Sequence, residues 1–244
     1  MNERVNRLRG LIAERGLDAF LVTQPENRRY LSGFTGSAGV LIITQDEALL
    51  ATDFRYYEQV RQQAPDFALA EVTDRVEPVL AERLEKVGAR RVGIESHDVT
   101  VETYQKWQEA APGVEWAPTS GLVEGLREIK DAGELATIEE AVRIADRAME
   151  HIYEWIRPGV TEKDVAWELE VYMRTHGAER LSFNTIVAAG PRGAMSHAVP
   201  TDRPIGRGEP IVIDMGALYR GYCSDLTRSF CIGEATDEYL RIWD

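Results

Sequence analysis

Two aspartates in the last part of the sequence, Asp214 and Asp225, have the residue type and spacing to share one chemical task. They lie in the stretch IVIDMGALYRGYCSDLTRSF, residues 211–230, whose first half alternates between two sets of residues, as in a strand with two distinct faces. The Tyr-Arg-Gly sequence at 219–221 predicts the turn of a β-hairpin. A loop made of the first two of these residues would set Asp214 directly opposite Asp225, whereas a bulge at the glycine would shift the pairing by one residue.

Two carboxylates on one face of such a hairpin repel each other. Directly opposed residues have Cβ atoms about 4.5–5.5 Å apart, so either one carboxylate takes up a proton or a cation lies between them. Oxygen ligands of this kind suit a divalent metal ion. The pattern leaves an alternative open, in which one aspartate is a solvated strand residue and the other caps the turn at Ser224–Thr227. The sequence therefore offers Asp214 and Asp225 as candidate metal ligands.

His197 is the histidine whose surroundings favour a chemical role. It lies in the loop PRGAMSHAVPTDRP, residues 191–204, just before the strand that carries Asp214, and loops beside a rigid sheet often carry function. An imidazole there could hydrogen-bond a substrate carbonyl or, when protonated, stabilise developing negative charge. A surface histidine without such a role fits the local sequence equally well. The other histidines are predicted within helices or near their ends, where a structural role is favoured: His97, His151 and His176.

The composition indicates a globular protein with an acidic surface. Hydrophobic residues make up 44% of the 244 residues, and the formal net charge is −13. This charge argues against nucleic acid as a partner, because nucleic acid binding depends on Lys and Arg neutralising phosphates. The two cysteines predict free thiols in a reducing cytoplasm rather than a disulfide scaffold. We expect no signal peptide and no membrane partner, since no run approaches the ~18 apolar residues of a membrane span.

The chain changes character near residue 120. Short strands alternate with short helices before this point, which predicts an α/β domain over residues 1–120, and Pro118–Gly121 is the predicted boundary. Beyond it, Asp131 and Glu134 form a capping-box pair that predicts the start of a long amphipathic helix. A second helix, several strands and the hairpin follow. The sequence therefore predicts a second domain over residues 121–244.

Two parts of the sequence resemble known families. Residues 127–232 resemble the first half of the pita-bread metallopeptidase domain of family M24, in its Xaa-Pro aminopeptidase and prolidase branch, through the stretches REIKDAGELATIEEA, RPGVTEKDVAWELE, FNTIVAAGPRGAMSHAVPTDRP and GEPIVIDMGALYRGYCSDLTRSF. Residues 17–57 resemble the creatinase-type N-terminal domain that accompanies it. The resemblance implies an α/β N-terminal domain followed by an α+β pita-bread (creatinase/aminopeptidase) domain that is incomplete.

The resemblance also implies a metal centre and a reaction. It implies two divalent ions, with Mn²⁺ expected and Co²⁺ or Zn²⁺ as alternatives; Asp214 would bind one ion through both oxygens, and Asp225 would bridge both. A metal-bridging hydroxide would attack the scissile carbonyl, while His197 would contact the substrate and Thr227 would support the ligands by hydrogen bonding. The implied enzyme is a cytoplasmic, homodimeric exopeptidase that hydrolyses the Xaa-Pro bond at the N-termini of short proline-containing peptides.

The sequence departs from this family after Asp225. The family completes its site with a histidine from a GHGxG-like segment and with two later glutamates, and none of these motifs occurs in the remaining residues. We therefore expect a fragment of a longer enzyme, with an incomplete site, weak metal binding and poor turnover. Two alternatives stay open. One is a creatinase-like C–N hydrolase, against which the two retained aspartates count, and the other is a non-catalytic binding or assembly module of the same fold.

Overall fold

The computed structural model describes residues 2–243 and divides into two compact units between Ile129 and Lys130. The helices of the first unit are α1 (Glu3–Glu14), α2 (Pro25–Ser32), α3 (Tyr57–Gln63), α4 (Val76–Lys86), α5 (Val101–Ala110) and α6 (Leu122–Glu128). Its strands are β1 (Ala19–Val22), β2 (Val40–Thr44), β3 (Ala48–Asp53), β4 (Ala68–Val72), β5 (Arg91–Glu95) and β6 (Glu115–Thr119). The alternation confirms the predicted α/β fold.

These strands form one six-stranded mixed sheet in the order β4-β3-β2-β1-β5-β6. The central strand β1 is antiparallel to β2 and parallel to β5. All of its residues are buried, because alternate side chains enter two separate cores: Phe20 and Val22 on one face, Ala19 and Leu21 on the other. A strand buried on both faces lacks the apolar–polar alternation of a half-exposed strand.

Helix α6 was not predicted from the sequence, and it accounts for the place where the two units divide. Its Leu122, Val123 and Leu126 are buried in the same core as residues of α1. The division therefore falls after this helix, a few residues beyond the predicted boundary at Pro118–Gly121.

The second unit has two long helices and two three-stranded sheets. The helices are α7 (Ala132–Trp155), α8 (Glu162–Thr175) and the shorter α9 (Asp237–Trp243). The strands are β7 (Arg180–Leu181), β8 (Ile186–Ala189), β9 (Pro210–Met215), β10 (Ala217–Tyr219), β11 (Tyr222–Cys223) and β12 (Leu226–Cys231), in the sheets β12-β9-β8 and β11-β10-β7. None of the helices within residues 2–243 is long and apolar enough to cross a bilayer.

The long helix α7 begins at the predicted capping box, in which Asp131 and Glu134 each hydrogen-bond the other's backbone N–H. The helix is amphipathic, as predicted, but not all of its apolar residues are buried, since Leu135 and Val142 are exposed. Its buried apolar residues are mostly alanine and isoleucine, with one methionine: Ala141, Ile144, Ala145, Ala148, Met149 and Ile152. Small residues allow the helix to approach the strands closely.

Candidate functional site

The predicted hairpin forms, but its turn lies one residue later than expected. Tyr219 pairs with Tyr222, so Arg220 and Gly221 make the two-residue turn. Both have positive φ, 46° and 81°, as a type I′ hairpin turn requires. Glycine adopts this conformation readily, and at Arg220 the hairpin imposes it.

The later turn changes which residue faces Asp214. The register pairs Asp214 with Thr227, so the predicted direct opposition of Asp214 and Asp225 is wrong. A turn displaced by one residue moves the pairing by two, which keeps every residue on its original face. If the alternation of β12 continues one residue back, Asp225 lies on the same face as Thr227. It is then a diagonal neighbour of Asp214, at roughly 7–8 Å.

A tight crossing at Gly216 separates the two acids along the ribbon. A Cβ atom at Gly216 would lie 2.0 Å from the carbonyl oxygen of Ser224 and 2.8 Å from Ser182 Oγ. Ser182 Oγ donates to that same carbonyl at 2.8 Å, and the Ala217 N–H donates to Ser224 Oγ at 3.0 Å. The ribbon therefore passes from one sheet to the other here, and only glycine permits the approach.

Asp214 is held by the strand opposite. Thr227 Oγ1 donates a hydrogen bond to Asp214 Oδ1 at 2.8 Å. The neighbours Ile213 and Met215 are each 0% exposed on the core side of β9, so Asp214 points to the other, open face of the sheet. This contact fixes the orientation of one carboxylate oxygen and leaves the other available.

Asp225 is exposed, and within residues 2–243 its carboxylate has no hydrogen-bond or ion-pair partner. The alternative in which an aspartate caps the turn at Ser224–Thr227 thus finds no support at Asp225. The donor set fits a hard or borderline divalent ion, since both side chains offer oxygens that no group within residues 2–243 satisfies. Asp214 and Asp225 are the residues that would hold it.

His197 lies in the loop that precedes β9. The loop starts with a short 3₁₀ helix, Gly190–Ala194. A Cβ atom at Gly193 would lie 3.4 Å from Val212 Cγ2, and Val212 shares the open face with Asp214 because the two are alternate residues of β9. The loop therefore begins over the face that carries the acids. His197 itself is exposed.

One buried acid beside this loop was missed from the sequence. Glu162, in the first turn of α8, is 0% exposed and binds both ends of the loop. Burial raises the pKa of its carboxyl, but hydrogen bonds from Ala189 and Thr201 and the charge of Arg192 outweigh burial and hold the pKa below its usual range. The sequence showed only a glutamate near a helix N-terminus, beside the capping pair Thr161 and Asp164.

A second acidic group lies in the first unit. Glu95, His97 and Glu124 have ligand atoms within 4.8 Å of one another, the arrangement of a three-residue metal site. The amide of Asn27 already fills it: Nδ2 donates to Glu95 Oε1 at 2.6 Å and to Glu124 Oε1 at 2.5 Å. Arg127 Nη1 donates to Asn27 Oδ1 at 2.8 Å, which fixes the orientation of the amide. Hydrogen bonds therefore occupy the place of a cation.

Comparison with known proteins covers nearly the whole chain. Residues 4–129 match the Creatinase/Prolidase N-terminal domain, and residues 136–244 match Metallopeptidase family M24. An uncharacterized peptidase of Bacillus subtilis is 40% identical over 98% of this chain and 68% of its own length. An Xaa-Pro dipeptidase of Pyrococcus furiosus is 32% identical over 100% of this chain and 69% of its own length.

Solved structures of similar proteins match the chain over nearly its whole length. An Xaa-Pro dipeptidase from Bacillus anthracis superposes with a TM-score of 0.95 at 41% identity, over 99% of this chain and 68% of that one. The prolidase from Pyrococcus horikoshii superposes with a TM-score of 0.91 at 31% identity, over 99% and 68%. The chain thus spans about two thirds of the length of the relatives it matches.

Proposed function

We propose a function from the family: the chain belongs to Metallopeptidase family M24 and carries a Creatinase/Prolidase N-terminal domain. The proposed function is that of a metal-dependent exopeptidase that cleaves the Xaa-Pro bond of short peptides. The observation that carries the proposal is the open sheet face on which Thr227 orients Asp214, while the Asp225 carboxylate has no partner in the described part of the chain. Relatives that cover the chain and are named Xaa-Pro dipeptidase support the choice of substrate.

Asp214 and Asp225 would hold two divalent ions, Mn²⁺ in the first place and Co²⁺ or Zn²⁺ as alternatives. When bound, such ions activate the attacking water and polarise the scissile carbonyl. The role of Thr227 is to keep one oxygen of Asp214 in place through its 2.8 Å hydrogen bond. Two carboxylates are few ligands for two ions, so we expect the 244-residue chain alone to bind metal weakly and to turn over slowly.

His197 would contact the substrate from the loop above this face. Its imidazole can donate a hydrogen bond to the substrate carbonyl and stabilise the negative charge that develops on that oxygen. Removing a donor of this kind typically slows a reaction about 10²–10³-fold. Its exposure leaves the ring free to meet a peptide.

We further propose a cytoplasmic homodimer without nucleic acid or membrane partners. The free thiols of Cys223 and Cys231 fit a reducing compartment, and the net charge of −13 disfavours nucleic acid. The dimer rests on the resemblance to prolidases, and light scattering of the purified chain would test it.

A peptidase assay with Mn²⁺ tests the proposal. We expect Mn²⁺-dependent hydrolysis of an Xaa-Pro dipeptide over the matching Xaa-Ala dipeptide, lost in Asp225→Asn and reduced in His197→Ala. Asp146→Asn, at an exposed aspartate of α7, is the matched control and keeps full activity. Undiminished hydrolysis in Asp225→Asn contradicts the metal mechanism. No hydrolysis, even with saturating Mn²⁺, favours the non-catalytic module.

A further inference from the structure

Glu162 connects the two ends of the loop that carries His197. At the first end, Glu162 Oε1 accepts the Ala189 N–H at 2.9 Å. At the other end, Oε2 accepts the Thr201 N–H at 3.0 Å and the Thr201 hydroxyl at 2.7 Å. One carboxylate thus closes residues 190–200 into a ring fixed to the start of α8.

An arginine inside the loop completes this arrangement. Arg192 Nε lies 3.1 Å from both Glu162 oxygens, and its Nη2 donates to the Val199 carbonyl at 2.6 Å. The buried charge of Glu162 is thereby paired and hydrogen-bonded, as a stable buried carboxylate must be. The same guanidinium ties the segment just before His197 to the segment just after it.

The start of α8 does not need Glu162 as a cap. Thr161 and Asp164 already form a capping box, in which each side chain binds the other's backbone N–H. The carboxylate of Glu162 is directed instead to the loop. His197 has no hydrogen bond of its own within the described residues, so its position depends on how the loop ends are held.

We propose that Glu162 is a positioning residue for His197, which holds the histidine over the acid-bearing face by fixing both ends of the loop. The proposal rests on the proposed peptidase function for its purpose, since positioning matters only if His197 contacts a substrate. Whether Glu162 fixes the ends of the loop is a structural question. It is testable without any turnover.

The first test is NMR on the 244-residue chain with labelled histidine, in the wild type and in Glu162→Gln. The glutamine amide nitrogen cannot accept a hydrogen bond, so the side chain keeps its hydrogen bonds to only one end of the loop. We expect the His197 ring signal to shift and the amides of Ala189 or Thr201 to exchange about tenfold faster or more, as loss of a hydrogen bond to a charged group implies. With four histidines in the sequence, the other three serve as internal references.

Lys163→Ala is the matched control. Lys163 is the next residue on α8 and also contacts the loop, through an exposed 2.8 Å ion pair with Asp202. Exposed pairs contribute little, so this variant keeps the His197 signal and the exchange rates within about twofold. Thr201→Val serves if Glu162→Gln does not fold. It removes the hydroxyl's hydrogen bond to Glu162 and the one the hydroxyl accepts from the Arg203 N–H, and it should shift the His197 signal in the same direction.

Two results would overturn the proposal. One is a folded Glu162→Gln, or a Thr201→Val, in which the His197 signal and both amides are unchanged. The other is an equal shift of His151 and His176, because uniform loosening of this unit would make Glu162 a general stability residue.

Kinetics of an active preparation separate this proposal from the proposed function. If Glu162 acts through His197, Glu162→Gln lowers kcat/KM in the wild type but causes no further loss in His197→Ala. Additive losses contradict the positioning role. If the chain shows no peptidase activity, the proposed function fails, while the NMR result still decides whether Glu162 holds the loop.

Discussion

The molecule brings carboxylates together in two places, and it satisfies them in opposite ways. In the first unit, Glu95 is 2% exposed and accepts hydrogen bonds from Thr23, Gln24 and Asn27. In the second unit, Asp225 is exposed and, among the described residues, has no partner. The group that looks more like a ready metal site by distance is therefore the one that has least need of a metal.

The two groups of acids differ in how fully protein donors satisfy their oxygens, rather than in how close the acids lie to one another. The Asn27 amide donates one N–H to Glu95 and one to Glu124, and Arg127 donates a hydrogen bond to the oxygen of the same amide. A buried polar network satisfied in this way is rigid. Asp214 and Asp225 keep oxygens free on an open face, which is what an incoming cation requires.

The largest loss of stability is expected from a substitution at Gly216, where the ribbon crosses between the two sheets. Gly216→Ala would put a Cβ atom 2.0 Å from a backbone oxygen of Ser224, so the ribbon must move or separate. We expect the second unit to lose at least about 4 kcal/mol in urea unfolding. Gly125→Ala, in α6 with no atom near its Cβ position, is the control and should be neutral or stabilising. A loss below about 1 kcal/mol in Gly216→Ala would show that the bend does not depend on glycine.

The next effect tests the saturated cluster. Asn27→Asp removes both N–H donors and adds a third carboxylate at a site that is 0% exposed. We expect a loss of about 3 kcal/mol in the first unit, measured by hydrogen exchange of the β1 and β5 amides in urea. Asn6→Asp, exposed on α1, is the control. If Asn27→Asp is as stable as the wild type, the amide is not what neutralises Glu95 and Glu124.

A smaller effect contrasts metal binding at the two sites. Paramagnetic broadening by Mn²⁺ should affect the amides near Asp214 and Thr227 first, and Asp225→Asn should weaken it at least about tenfold. Glu124→Gln should leave this broadening unchanged. Broadening that begins at His97 instead would reverse the contrast and make the Glu95, His97 and Glu124 group the preferred metal site.

The sequence was sufficient for what depends on neighbouring residues. It located the two-faced strand that carries Asp214 and the capping box of α7, because periodicity and caps are local signals. The predicted hairpin register was wrong because the turn places Arg220 at positive φ, and arginine is not among the residues that signal such a turn.

The sequence did not predict hydrogen-bond partners that lie far apart along the chain. Asn27 meets residues 68 and 97 positions away, and Glu162 meets residues 27 and 39 positions away. A sequence shows that an acid is present, but only the fold shows which donors surround it. The saturation of Glu95 and Glu162, and the openness of Asp225, could therefore not be predicted.

The last prediction uses pH to compare two buried acids with opposite shifts. Burial raises the pKa of Glu95 despite its hydrogen bonds, while Glu162 keeps a pKa below its usual value of 4.5. An acid with a lowered pKa stabilises the fold above its unfolded value and loses this contribution as the pH falls through its folded pKa. An acid with a raised pKa favours the fold while protonated and loses that contribution as the pH rises through its folded pKa.

Lowering the pH below about 4.5 should therefore loosen the Glu162 loop while the contribution of Glu95 increases. Hydrogen exchange of the Ala189 and Thr201 amides, against that of the Thr23 and Gln24 amides bound by Glu95, measures both in one sample. We expect the Ala189 and Thr201 amides to lose protection as the pH falls below this value, the Thr23 and Gln24 amides to keep or gain protection, and Glu162→Gln to abolish the loss at Ala189 and Thr201. Loss of protection at Thr23 and Gln24 over the same fall in pH would mean that hydrogen bonding to the Glu95 carboxylate outweighs its burial, and the contrast between the two acids would then rest on charge pairing alone.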